Sequence, residues 1–242
     1  WEMRAQSGLT SFVGREEEVD RLVDAWRSAT RSAGRAVLLV GEPGVGKSRI
    51  LHEFLGSSSR LARPIRLAAS ASYETHSIFL AVSRLMRQWF DVSEGDSAET
   101  IALSIGRRWK SGSADDYRAL HSLIDDTWSD DTWRALEPAN RRELMIEAAV
   151  RFIHAEAEQA PLIVAFEDLH WMDAATVELI RRLAVDSKAH RILLLCTGRP
   201  EPAVQALAPW FETMAVESLN DAEAGIFLDR LLGTAPELGQ LK

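Results

Sequence analysis

"LLVGEPGVGKSRI", residues 38–50, is the stretch that decides the fold. An apolar run from Leu38 to Val40 gives way to a glycine-rich turn, then Lys47, Ser48 and, from Arg49 and Ile50 onward, a helical pattern. Within it, "GEPGVGKS" fits G-x-x-x-x-G-K-[ST], with Gly41, Gly46, Lys47 and Ser48 at the fixed positions and Glu42, Pro43, Gly44 and Val45 between them. Glycines there let backbone N–H groups approach phosphate oxygens, and the helix N-terminus adds its dipole. Lys47 would neutralise charge on the β and γ phosphates of a nucleotide, and the Ser48 hydroxyl would ligate Mg2+. A chance glycine turn is the structural alternative, and the strand before it and the helix after it speak against that.

A phosphate loop needs a second acidic group at the end of a neighbouring apolar strand, and "LIVAFED", residues 162–168, supplies one. Glu167 would hold Mg2+ through water and Asp168 would orient or activate the attacking water, with the order of the two open by one residue. The alternative is that both carboxylates cap the following helix. In "LHWMDAATVELIRRL", residues 169–183, Asp173 reads as the N-cap of a helix carrying Val177, Ile180 and Leu183. His170 and Trp171 serve either packing or the neighbouring chemistry. "CTGRP" brings Thr197 and Arg199 to the same sheet edge, where open α/β folds bind ligands. Arg199 is either a γ-phosphate contact or an arginine in an exposed turn before Pro200.

Further out, the strand-like runs "RAVLLVG", "RPIRLAAS", "PLIVAFED", "RILLLCTGR" and "FETMAVESL" are separated by helical segments, which suits buried parallel strands. Five strands are expected. Val19, Leu22, Val23 and Trp26 have the spacing of an amphipathic helix, with Glu16, Glu17 and Glu18 at its positive end. Between the second and third strand runs the chain carries helical pattern: "SIFLAVSRLMRQWF", "AETIALSIGRRWK", "DYRALHSLIDDTW" and "RRELMIEAAVRFIHAEAE". The polar loops "DVSEGDS" and "KSGSADD" between them are the expected mobile segments. Asn220 and Glu223 read as a reciprocal cap opening "AEAGIFLDRLLG", which ends at Gly233.

The bulk numbers bound the function. The balance of 28 basic to 36 acidic residues gives a formal net charge of -8, so a broad electrostatic grip on nucleic acid or anionic lipid is not expected. The one cysteine, Cys196, lies inside "RILLLCTGR" and cannot pair within the chain, which suits a core residue in the reducing cytoplasm. No apolar run reaches the length of a membrane helix, and "WEMRAQSGLT" lacks a signal pattern. Opening on Trp1, the chain reads as a piece of a longer protein.

Taken in order, "FVGREEEVDRL", "GEPGVGKSR", "FEDLHWMDAAT" and "TGRPE" resemble the nucleotide-binding domain of the signal-transduction ATPases with numerous domains, the STAND class of AAA-like ATPases. The likeness runs from about Leu9 to Leu232. It is closer still to the ATPase modules that follow bacterial class III adenylate cyclase domains and occur in LuxR-type transcriptional regulators. "WEMRAQSGLTSFVGREEEVD" is similar to the junction after such a cyclase domain. The resemblance implies an α/β P-loop NTPase of the ASCE/AAA-like kind, with a mainly parallel five-stranded sheet flanked by helices and a helical insertion at about 72–160.

In domain terms it implies a linker and adenine-side box at 1–14, a nucleotide-binding domain at 15–218, and the start of a truncated lid at 219–242. Phe12, Val13, Gly14 and Arg15 inherit contacts on the adenine side, and Arg49 follows the phosphate loop. Lys47, Asp168 and Arg199 are the expected catalytic residues, Ser48 and Glu167 the metal ligands, and ATP or ADP with Mg2+ the cofactors. The function implied is a slowly hydrolysing ATP switch that controls an attached effector, an adenylate cyclase by the junction. A homo-oligomer also fits, with no nucleic acid or membrane bound by this chain. The other readings are a partner-binding scaffold with vestigial hydrolysis and the ATPase region of a LuxR-type regulator.

Overall fold

The computed structural model describes residues 12–31, 33–58, 65–68 and 78–232. Residues 1–11, Gly233 and the tail beyond it, with the expectations placed on them, lie outside that set. Helix α1 (Glu16–Arg31) leads to strand β1 (Arg35–Val40), the phosphate loop and α2 (Lys47–Ser58), then β2 (Ile65–Ala68). The helical stretch follows as α3 (Leu80–Phe90), α4 (Ala98–Arg108), α5 (Ala114–Ile124), the single turn α6 (Asp131–Arg134) and the long α7 (Pro138–Gln159). The chain returns to the sheet with β3 (Leu162–Phe166), α8 (Ala174–Asp186) and β4 (Ile192–Gly198). It closes with α9 (Pro202–Gln205), β5 (Glu212–Ala215) and α10 (Asp221–Leu232).

The strands form one sheet in the order β2-β3-β4-β1-β5, and every pairing is parallel. Parallel strands need crossover helices that cover both faces, so the strands must be apolar on both sides. Strands β3 and β4 are buried at every residue. The period of two sorts their side chains between two cores. Leu38, Val164, Phe166, Leu194 and Cys196 join one, with the helices α3 to α5, α7 and α8. Val37, Leu39, Ile163, Ala165, Leu193 and Leu195 join the other, with α1 and α2. Each helix is thus held by burying one stripe, not by its own propensity.

In α1 the acidic first turn is Glu16, Glu17 and Glu18, and Leu22 and Trp26 are buried. Val19 and Val23 pack against the same core only partly buried. The segment "DYRALHSLIDDTW" is not one helix: α5 ends at Asp125, which accepts extended backbone angles, and the separate turn α6 follows under the cap of Asp130. Part of "KSGSADD" is also helix rather than loop. Ser113 and Asp116 form a reciprocal capping box that starts α5, and Arg151 of α7 donates to the buried Asp116. "FETMAVESL" pairs over Glu212–Ala215, after which Val216 still donates to Val40.

Candidate functional site

The register sets three strand ends side by side. Val40, the last residue of β1, lies opposite Gly198 of β4, and Phe166 of β3 lies opposite Cys196. The phosphate loop, Glu167-Asp168 and Arg199 therefore leave the sheet at one edge, as the strand reading requires. Gly44 and Gly46 hold φ of 81° and 101°, angles that a side chain disfavours, and this is how the loop curls its N–H groups inward.

Two cavities share the loop as a wall. The smaller, about 280 Å3, is lined by Lys47, Ser48, Asp168 and Arg199 together with Pro43, Gly44, Gly46 and Arg49. Lys47 is nearly buried, and its Nζ donates to the carbonyls of Gly41 (2.8 Å) and Glu42 (2.9 Å). Burial pushes its pKa below the usual lysine value, with the Asp168 charge opposing. Glu167 is 4% exposed, with Ser48 near its carboxylate. Burial raises its pKa, the Ser48 hydroxyl pulls it back and the Asp168 charge raises it further.

Asp168 stands in the left-handed region at φ 56°, and its N–H donates to Oγ1 of the fully buried Thr197 at 3.0 Å. That bond fixes the direction in which the carboxylate leaves the strand. Arg199 lies over the Trp171 ring at 5.6 Å. His170 is held below the usual histidine pKa by burial and then by the Arg199 charge. Asp173 caps α8 through Oδ1 to the N–H groups of Ala175 and Thr176, while its Oδ2 accepts from Phe79 N and ties α3 to the same corner.

The larger cavity, about 660 Å3, lies on the other side of the loop, lined by Phe12, Val13, Arg15 and Val45 and, from the C-terminal end, by Ser218, Leu219 and Phe227. Phe12, Val13 and Arg15 were expected on the adenine side and Val45 in the phosphate loop, whereas Gly14, expected with them, is not in the lining; Ser218, Leu219 and Phe227 were not singled out, although a lid was expected from residue 219. Their signal was faint: apolar residues either side of the Asn220–Glu223 cap, which both partners complete at 3.0 Å. Arg15 donates to the carbonyl of Glu217 and pairs with Glu18 at 2.9 Å. Arg49 lies over the Phe12 ring at 5.8 Å and pairs with Glu53. Of the sequence-selected residues, Pro43, Gly44, Gly46, Lys47, Ser48, Arg49, Asp168 and Arg199 therefore meet at one cavity, with Glu167 buried near Ser48, and Gly14 packs against the Glu223 carboxylate.

Mg2+ favours one or two protein oxygens with phosphate and water completing an octahedron. Ser48 beside the buried Glu167 fits that demand. Among the described residues no group of three or more His, Cys, Asp or Glu side chains could hold a metal ion.

A parallel sheet with a phosphate loop after β1 and an acidic pair after β3 defines an AAA-like P-loop NTPase. The chain belongs to the AAA ATPase domain family, which it matches over residues 11–195. An uncharacterized protein of Rhizobium meliloti (strain 1021) is 25% identical over 208 residues, 81% of this chain but 19% of that protein, so this chain spans about a fifth of its length. The Orc1 protein of Aeropyrum pernix, solved in complex with DNA, superposes with a TM-score of 0.56 at 14% identity, covering 96% of this chain and 55% of its own. A STAND protein with a tetratricopeptide repeat sensor from Pyrococcus horikoshii gives a TM-score of 0.44 at 14% identity, covering 95% of this chain and 27% of its own. No helix among the described residues is long and apolar enough to cross a membrane.

Proposed function

We propose that this chain is a regulatory ATP module that binds ATP with Mg2+, hydrolyses it slowly and passes the difference between the two nucleotide states to an effector outside these residues. The observation that carries the reading is the pair of cavities on either side of one loop. One offers the charge a triphosphate needs, and the other an apolar space for a base, closed by the last helix. In this reading Lys47 holds the β and γ phosphates, Arg199 meets the γ-phosphate in cis, and Ser48 and Glu167 hold the metal, which when bound would neutralise phosphate charge. Asp168, set in the phosphate cavity by Thr197, orients the attacking water. The similarity of residues 1–20 to a cyclase junction supports an adenylate cyclase as the effector and the STAND class as the regulatory type. The net charge of -8 supports a role without direct nucleic-acid binding, the buried Cys196 a cytoplasmic one, and the family resemblance a homo-oligomer.

Calorimetry with Lys47→Ala and phosphate release with Asp168→Asn test it. Lys47→Ala is expected to lose ATP binding, and retained binding overturns the site. Wild-type turnover is expected on the order of 10⁻⁴ to 10⁻² per second, as for switch NTPases without an activator. Asp168→Asn is expected to fall at least about tenfold below it while still binding ATP. Equal turnover in the two proteins would replace this reading with that of a partner-binding scaffold whose hydrolysis is vestigial.

A further inference from the structure

Three cations line the phosphate cavity, Lys47, Arg49 and Arg199. Lys47 donates to the Gly41 and Glu42 carbonyls, and Arg49 is paired with Glu53. Arg199 differs from both. Among the described residues its side chain makes no ion pair and no hydrogen bond, and what it meets is the face of Trp171, with the guanidinium carbon 5.6 Å from the ring centroid. That is inside the reach of about 6 Å over which a ring face attracts a cation.

The kind of partner decides what the arginine can still do. A carboxylate in the place of Trp171 would offset the Arg199 charge and occupy its donors, and an incoming phosphate would have to displace it. A ring face attracts through its quadrupole and leaves the in-plane N–H donors open and the charge intact. Trp171 is 39% exposed, whereas Trp26, Trp89, Trp109 and Trp133 are buried in the cores. Packing alone does not call for a ring at such a position. Its backbone is nevertheless fixed at both ends. The tight turn Leu169–Trp171 starts from Asp168, whose carbonyl accepts from Trp171 N at 2.9 Å and whose own N–H is held by Thr197. Two residues beyond Trp171 stands Asp173, the cap of α8. The His170 ring lies 5.0 Å from that of Trp171. Thr197 of β4 and Arg199 just past its end thus meet one turn, which carries both the Asp168 carboxylate and the Trp171 ring.

Given Arg199 at the γ-phosphate, the reading on which this rests, we propose that Trp171 is a positioning residue through which the site tells ATP from ADP. Its ring face holds the Arg199 guanidinium at the wall of the phosphate cavity, charged and with its donors unengaged, where it meets the phosphate that ADP lacks.

Calorimetry of ATP and of ADP, each with Mg2+, on the whole chain measures the ratio of the two dissociation constants. Arg199→Met is expected to lower the preference for ATP at least about tenfold, as loss of a charge-assisted bond does. Trp171→Leu is expected to lower it at least about threefold while the ADP constant stays within about twofold of wild type. In the double variant Trp171→Leu should add nothing to Arg199→Met, since ring and cation act as one unit. A ring that only packs would instead weaken both nucleotides together, and by the same factor with or without Arg199. Trp171→Met takes the place of Trp171→Leu if that variant does not fold. A fall of less than about threefold in Trp171→Leu while Arg199→Met loses its preference, or an equal further loss in the double variant, overturns the proposal. A wild-type ratio in Arg199→Met is a separate failure, that of Arg199 at the γ-phosphate, and the role of Trp171 falls with it.

Discussion

The Asp168 backbone shows how much one residue depends on its neighbour in space. Its left-handed φ of 56° is an angle that Asp and Asn tolerate better than most residues, and its N–H has Thr197 Oγ1 as partner. Thr197→Val keeps the shape and removes the acceptor, leaving a half-buried N–H unpaired. The expected loss is about 1 to 3 kcal/mol of stability by urea denaturation. Turnover should fall more than ATP affinity, because the carboxylate loses its aim while Lys47 and the loop are untouched. A variant that binds and hydrolyses like wild type would show that the bond does not position Asp168. Gly14 presents the other kind of local demand. At φ 70° with the Glu223 carboxylate 2.8 Å from where a Cβ would stand, Gly14→Ala is expected to cost about 1 to 2 kcal/mol and to weaken ATP binding. Unchanged ATP affinity by calorimetry would separate this residue from the base-side cavity.

Among the elements, α7 meets the loop before β4 through a stacked histidine pair, His154 on His190, with ring centroids 3.7 Å apart. Burial, then the His190 charge, lowers the His154 pKa from 6.5 to about 4. The unfolded chain then binds more protons than the folded one between those two values, so stability rises with pH across that window. The contribution is complete above about pH 6.5 and is lost as pH falls toward 4. Because the ring is partly open to solvent, about 1 to 2 kcal/mol is expected. His154→Phe should flatten the wild-type difference in unfolding free energy between pH 7.5 and pH 4.5 by that amount, and parallel curves would exclude the effect. The elements themselves were legible wherever one period ruled: the glycine loop, the β1 and β4 runs, the stripe of α1. The period failed at two helix ends. Asp125 breaks "DYRALHSLIDDTW" with extended angles, and Ser113 turns an apparent loop into a helix start through Asp116 and Arg151, a partner 35 positions away. Local patterns carry no trace of such a partner.

At the scale of the molecule, what sequence reading found was the set of residues on the sheet edge, since motif order and strand ends dictate it. It expected a lid from residue 219 but did not single out Ser218, Leu219 and Phe227, because a cavity wall made by joining distant segments leaves no periodic signal. The join itself is visible in the structure: Arg230 of α10 donates to the Phe12 carbonyl at 3.0 Å, 218 positions apart, and Arg15 donates to the Glu217 carbonyl. A nucleotide seated between these segments would bind the folded chain and not the unfolded one, so it must raise stability by mass action. At 100 times its Kd, ATP with Mg2+ is expected to add about 2.7 kcal/mol, a rise of about 5 to 10 °C in the thermal transition of a chain this size. Arg230→Ala removes a single exposed bond, which alone should move the nucleotide-free transition by less than about 2 °C. If α10 closes the base side, the same change weakens ATP binding several-fold and shrinks the ATP-dependent rise at fixed ligand concentration. An undiminished rise in Arg230→Ala would mean that α10 stands beside the nucleotide without holding it, and the base cavity would then rest on Phe12, Val13 and the loop alone.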